Sequence, residues 1–212
     1  MVVFIQARSN SKRFPNKVLK EIYDHPMILH VVNRVKKSKF MKKVIVATSK
    51  KKSDDKLVGM LKKNKINFFR GELNNVASRF LELAKRKKLK YFMRVSGDSP
   101  LIDPKIIDRA SIIKKKFKNA DIITNVFPRS YPKGMSVEII KVSTLRNNIE
   151  KMKKNDLEHV TKYFYRNYKK FNIINFKNIS DKKTMKFSID TKNDLKKIIN
   201  KIKKDNFYNF KI

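Results

Sequence analysis

Short apolar runs alternate with longer amphipathic ones as far as Thr124. Val2 to Ile5 reads as a strand. Pro26 to Lys37 reads as a helix, with Ile28, Val31, Val32 and Val35 at helical spacing. Lys43 to Thr48 is a strand, and Asp54 to Lys63 is a helix carrying Leu57, Val58 and Leu61. Asn67 to Arg70 is a short strand that ends at Gly71. Asn75 to Lys87 is a helix with Val76, Phe80, Leu83 and Ala84 on one face. Tyr91 to Val95 is a strand, followed by the loop "SGDSPLID". Pro104 then opens a helix, with Asp103 as its N-cap. Asp121 to Thr124 is the next strand. Beyond it the pattern predicts a turn and strand in "YPKGMSVEIIK", a helix over Leu157 to Tyr168, strands over Phe171 to Phe176 and Met185 to Ile189, and a last helix over Lys192 to Lys203.

Strand and helix alternating at this spacing imply βαβ units and a mostly parallel sheet, an α/β fold. Such sheets bind ligands beyond the carboxyl ends of their strands. Three unusual stretches sit at such ends: the opening loop, Gly71, and the Gly97-Asp98 turn.

The opening loop, "QARSNSKRFPNK", holds Arg8, Lys12, Arg13 and Lys17 and no acid. Guanidinium and ammonium groups together with backbone N–H groups suit a triphosphate. The loop is not a P-loop, because the glycines and the Gly-Lys-Ser/Thr ending are missing. In a chain this basic, a surface loop of generic charge is the competing reading. Asp98, after a glycine at a strand end, can hold a hard cation such as Mg²⁺ through oxygen. It can equally be a turn aspartate. Asp190, at the end of "MKFSID", has the same two readings, as a second metal carboxylate or a helix cap. His25, His30 and His159 share no zinc spacing.

The charge alters the range of partners to consider. Lys plus Arg number 54 against 18 Asp plus Glu, a formal net of +36. The lysines are spread over every predicted helix, with no block and no interleaving of aromatics as in a nucleic-acid groove. That distribution favours solvated helix faces, reinforced by A/T-rich coding, over a specific nucleic-acid partner. The chain has no cysteine, which excludes a disulfide framework and a thiolate metal site. No run is long and apolar enough for a transmembrane helix. The start lacks a signal-peptide pattern, so cytoplasm is the expected compartment.

Taken together, seven stretches resemble the cytidylyltransferases that activate acidic sugars, in particular the SpsF-like, spore-coat polysaccharide group. They are "IQARSNSKRFPNKVL", "VIVATS", "FFRGELNNVASRF", "RVSGDSPLIDP", "YPKGMSVEI", "EHVTKYFY" and "FSIDTKND", in family order over nearly the whole chain. The resemblance implies one domain, 1–212, with a Rossmann-like nucleotide-diphospho-sugar transferase fold. It implies Mg²⁺-dependent transfer of CMP from CTP to a hydroxyl of an acidic sugar. Arg8, Arg13 and Lys17 would grip the triphosphate, beside Gln6, Ala7 and Ser9. Arg79, Ser96 and Gly97 would lie near base and ribose. Asp98 and Asp190 would bind the metal. Glu138 and His159, in the "YPKGMSVE" and "EHVT" stretches, would border the sugar pocket. The region of about 125–180 would build that pocket and a homodimer contact.

Two departures stand out against the relatives. Asn16 replaces a glycine, and asparagine is the residue that best tolerates positive φ. Ser136 replaces an acid. Two other readings compete: a uridylyl- or guanylyltransferase acting on a sugar 1-phosphate, weakened by the missing glycine-rich opening, and a basic nucleic-acid-binding protein.

Overall fold

A computed structural model describes residues 1–11 and 13–210. Lys12 of the opening loop lies outside them. Nine strands are described: β1 (Val2–Gln6), β2 (Glu21–Ile22), β3 (His25–Pro26), β4 (Lys43–Ser49), β5 (Phe68–Gly71), β6 (Tyr91–Ser96), β7 (Ile122–Thr124), β8 (Glu138–Lys141) and β9 (Ile173–Asn175). Seven of them form one sheet in the order β5-β4-β1-β6-β8-β7-β9, and β2–β3 is a separate hairpin. Only β8 runs against the rest, pairing antiparallel with β6 and with β7.

The strand alternation sends successive side chains to opposite faces. Val3 and Ile5 of β1 join one core with α1 (Met27–Lys36), α2 (Asp55–Lys63), α4 (Pro104–Lys116) and α8 (Lys192–Lys201). Phe4 joins the other core, beneath α3 (Val76–Arg86), α5 (Val142–Asn148), α6 (Lys154–His159) and α7 (Lys162–Arg166). There the Phe4 ring stacks on Phe92 with centroids 4.8 Å apart. A short α9 (Lys204–Tyr208) follows α8 and buries Phe207 beside His30 and Tyr23. His30 is itself buried, with Nε2 2.8 Å from the Ile22 carbonyl oxygen.

Most expected elements fall within one or two residues of their predicted ends. Asp103 caps α4, accepting from the Lys105 N–H at 2.9 Å. Three expectations need correction. The helix expected over Leu157 to Tyr168 is two helices, α6 and α7, separated at Val160, whose φ is 45° and ψ −58°. Thr161 N–H donates to the His159 carbonyl at 2.5 Å, closing a γ-turn on a β-branched residue. The strand expected over Met185 to Ile189 is instead an extended segment with a single bridge to Lys133. Gly134, at φ 96°, lets that crossing happen: a Cβ there would lie 2.5 Å from the Ser188 nitrogen. The strand expected over Phe171 to Phe176 shortens to β9.

Candidate active site

The site lies beyond the carboxyl ends of β1, β4 and β6. Asn16 sits at φ 55°, ψ 24°, left-handed, and starts a single 3₁₀ turn over Lys17–Leu19. The Ser9 carbonyl accepts from both Ser11 N–H (2.9 Å) and Asn16 N–H (2.8 Å), closing the opening loop on itself. Ser9 is fixed from behind by the wholly buried Asp54, which accepts from Ser9 N–H (2.6 Å), from Ser49 N–H (3.1 Å) and from the Ser49 hydroxyl. The loop's shape therefore rests on an acid from the next βα connection.

Each described cation of the loop, Arg8, Arg13 and Lys17, meets a carboxylate brought from far along the chain. Lys17 Nζ lies 2.7 Å from Asp98 Oδ2 and 3.3 Å from Asp190 Oδ1. Arg13 reaches Asp190 at 3.3 Å, its side chain largely exposed. Arg8 Nη2 donates to Glu158 Oε1 at 2.6 Å. Burial raises the Asp190 carboxyl, but Lys17 and Lys186 outweigh it and hold the group below its ordinary value. Gly97 is a steric requirement: a Cβ there would sit 2.9 Å from both the Ala7 Cβ and the Gln6 carbonyl oxygen, where the ends of β1 and β6 touch.

Two adjoining cavities share a wall of Arg94, Ser96, Asp98, His159 and Asp190. The larger, about 670 Å³, is lined by Gln6, Ala7, Arg8, Arg13, Lys17 and Asn74, among others. The smaller, about 430 Å³, is lined by Arg129, Lys133, Ser136, Glu138, Lys162 and Tyr165. At its floor, Glu138 lies opposite Arg94 in the β6–β8 register and pairs with it. Tyr165 donates to Glu138 Oε1 at 2.5 Å and lies 2.8 Å from Thr124 Oγ1. Arg94 Nε in turn donates to Gln6 Oε1 at 3.0 Å, tying the two cavities together. Burial, then the adjacent Glu138 charge, pushes the Tyr165 phenol well above its usual value, so it remains a donor.

Of the residues expected at the site, Gln6, Ala7, Arg8, Arg13, Lys17, Ser96, Asp98, Glu138, His159 and Asp190 line one or both cavities. Ser9 and Gly97 stand directly behind the wall. Arg79 does not reach the cleft. Its side chain is buried, and it donates to the carbonyls of Glu72 (3.0 Å), Ala47 (3.1 Å) and Leu73 (3.1 Å). Burial lowers its pKa to about 10, against the raising effect of Asp54 nearby. Arg79 thus positions the Leu73-Asn74 edge of the larger cavity rather than a ligand. Arg79→Met removes three hydrogen bonds, although the Ala47 carbonyl keeps the Ala7 N–H at 3.2 Å, and at ~1 kcal/mol for each it should cost about 3 kcal/mol in urea unfolding. Arg94, Arg129, Lys133 and Tyr165 line the cavities without having been singled out in the sequence, although the last three fall in the 125–180 region expected to build the sugar pocket. Arg94 did carry a signal, as a lone charge inside the apolar strand "YFMRVS".

Asp190 is anchored in turn by Asp194, whose Oδ2 accepts from Asp190 N–H (2.9 Å), Thr191 N–H (3.0 Å) and Lys186 Nζ (2.8 Å). Thr191 Oγ1 accepts in return from Asp194 N–H at 3.1 Å, a capping box on α8. Burial raises the Asp194 carboxyl, but Lys186 and these N–H groups draw it down to about 2. A carboxyl lowered on folding stabilises fully above its unfolded value of ~3.9. That contribution disappears as the pH falls towards 2. Asp194→Asn should therefore flatten the acid limb of a stability–pH profile, and lose ~1 kcal/mol of cap energy at neutral pH.

Among the described residues, no cluster of three or more His, Cys, Asp or Glu side chains could hold a metal, and no helix is long and apolar enough to cross a membrane. The spore coat polysaccharide biosynthesis protein SpsF of Bacillus subtilis is 29% identical to this chain over 207 residues, covering 93% of this chain and 84% of SpsF. A 3-deoxy-manno-octulosonate cytidylyltransferase from Geobacter sulfurreducens is 31% identical over 112 residues, about half of this chain and 43% of its own length. The solved structure of a cytidylyltransferase from Leptospira borgpetersenii superposes with a TM-score of 0.87 at 29% identity, covering 100% of this chain and 98% of that one. The sequence model of the cytidylyltransferase family matches residues 2–211, and the chain belongs to that family.

Proposed function

We propose that this protein transfers CMP from CTP to a hydroxyl of an acidic sugar, releasing pyrophosphate, in the synthesis of a surface polysaccharide or glycan. The observation that carries this reading is the pair of cavities meeting at Asp98, Asp190 and His159. One is walled by the cations of the opening loop. The other carries Arg129, Lys133 and Lys162, none of them in an ion pair with a described acid. A triphosphate suits the first and an anionic acceptor the second. Arg129 keeps part of its donor fork free, giving only to Ser136 Oγ (3.1 Å) and the Pro132 carbonyl (3.3 Å). Ser136 is uncharged, and Arg129 is in no ion pair with a described acid, so that guanidinium is available to a carboxylate on the substrate. SpsF and the octulosonate enzyme carry names that fit the same chemistry.

In the reaction the acceptor hydroxyl attacks the α-phosphorus. A new P–O bond forms as the bond from the α-phosphorus to the oxygen bridging the β-phosphate breaks, the hydroxyl proton passes to solvent, and charge builds on the departing pyrophosphate. Arg8, Arg13 and Lys17 stabilise that charge. Asp98 and Asp190 both reach the Lys17 ammonium, so two hard oxygen donors already converge on one cationic point, a donor set that fits Mg²⁺. Asp98 and Asp190 would hold Mg²⁺, which would supply Lewis-acid stabilisation of charge at the reacting phosphate. A homodimer through 125–180 belongs to this reading, with exposed Tyr168 and Ile179 as side chains for a partner to cover.

The test is pyrophosphate release from CTP and Mg²⁺ with a panel of 2-keto sugar acids, each beside its carboxyl-reduced counterpart. Turnover confined to the acids is expected. Turnover of the neutral sugars, or of sugar 1-phosphates instead, contradicts the proposal.

A further inference from the structure

The sheet sorts the lysines that look scattered along the chain. Because the site occupies the carboxyl ends of the strands, the helices return and end at the opposite face. There α1 closes on Lys36, α2 on Lys63, α3 on Arg86 and α4 on Lys114 to Lys116. The helix dipole favours cations at such ends, but the lysines continue into the connections. Lys36, Lys42, Lys43 and Lys65 surround one hollow of about 410 Å³ floored by Met41, Val44 and Ile66. Beside it the terminal ammonium of Met1 donates to the Phe40 carbonyl at 2.7 Å. Lys115 lies over the Phe40 ring at 4.6 Å, and Lys114 over the Tyr91 ring at 4.1 Å. None of these six lysines is ion-paired with a described acid. Burial first, and then the nearby Lys42 and Lys115, lower the pKa of the Met1 ammonium.

We propose that this lysine-rich face, opposite the catalytic cleft, docks on an anionic lipid bilayer. Its charge complements an anionic leaflet, to which polybasic clusters bind by summed attraction. Two features favour a bilayer over a nucleic acid. The Phe40 and Tyr91 rings each already carry a lysine ammonium over one face, which a stacked base would have to displace. Two apolar side chains near the end of α4, Ile112 and Phe117, are 53% and 39% exposed among the exposed Lys115, Lys116 and Lys118, a mixture suited to a headgroup interface. Docking by this face leaves the cleft open, on the side away from the lipid.

The test is co-sedimentation of the full chain with vesicles of phosphatidylcholine alone, or with about one-third phosphatidylglycerol, at ~0.15 M salt. Binding to the anionic vesicles should exceed binding to the neutral ones at least ~10-fold and fall in high salt. The face variant K36Q/K42Q/K43Q/K65Q should lose ~10-fold or more. A control of equal charge, K177Q/K183Q/K196Q/K197Q, should stay near wild type. K115Q/K116Q/K118Q gives the same comparison should the first variant misfold. Equal losses in face and control variants overturn the proposal, since net charge alone would then suffice. So does an absence of binding to anionic vesicles. Tighter binding of a single-stranded RNA, lost in the same face variant, would assign the face to nucleic acid and also overturn it.

Discussion

Asp98→Asn should reduce CMP transfer by about 10³-fold, the scale of losing one oriented electrostatic group at a reacting centre, while CTP still binds and the fold holds. The reason is placement. Asp98 leaves the end of β6 at the shared wall of both cavities and meets Lys17 at 2.7 Å. Asparagine keeps the shape and the hydrogen-bonding capacity but removes the negative charge. That charge orients the Lys17 ammonium and is one of only two carboxylates at the convergence point. Asp190, the other, already engages Lys17, Arg13 and Lys186, so it cannot take over. A melting curve unchanged within about 1 kcal/mol, beside the lost turnover, would separate this effect from misfolding. Turnover comparable to wild type would remove Asp98 from the chemistry.

The second large effect is on stability. Glu138→Ala should destabilise the protein by about 3–5 kcal/mol, the cost of breaking a buried ion pair by removing one partner. Glu138 is 3% exposed, is directly opposite Arg94 across antiparallel strands, and accepts from both Arg94 and Tyr165. Without it the Arg94 guanidinium keeps Gln6, and the Tyr165 hydroxyl keeps neutral threonine partners such as Thr124. Urea midpoints report the loss. Glu138→Gln keeps an acceptor for Tyr165 and should recover part of it. If Glu138→Ala unfolded at the wild-type midpoint, the carboxylate would be a ligand contact and not a structural one.

Much of this architecture is legible in the residues because parallel α/β units write a simple code. Apolar runs such as "VVFI" and "KVIVAT" are the buried strands β1 and β4, and the residues just past their ends build the cleft by topology alone. Asn16 could be assigned to left-handed backbone on conformational grounds, and it occupies φ 55°. What stays illegible depends on contacts distant in sequence. Leu157, Val160 and Phe164 keep helical spacing, so nothing local marks the γ-turn at Val160 that divides α6 from α7 just after His159, which lines both cavities. Arg79 looks like a ligand group until its three carbonyl acceptors are seen. The acids that neutralise the opening loop lie 81 to 177 residues away from the cations they meet. The lysines at the ends of α1, α2 and α4 become neighbours only when the sheet aligns the helix ends.

Calorimetric titration with CTP, UTP, GTP, ATP and dTTP, each with Mg²⁺ at moderate salt, tests the central claim most directly. The cytidylyltransferase account expects CTP to bind at least ~10-fold more tightly than the other four, about 1.4 kcal/mol, and expects Arg13→Ala to weaken it. Equal, salt-sensitive binding of all five would mean that the opening loop recognises charge alone, and would contradict a CTP-specific active site.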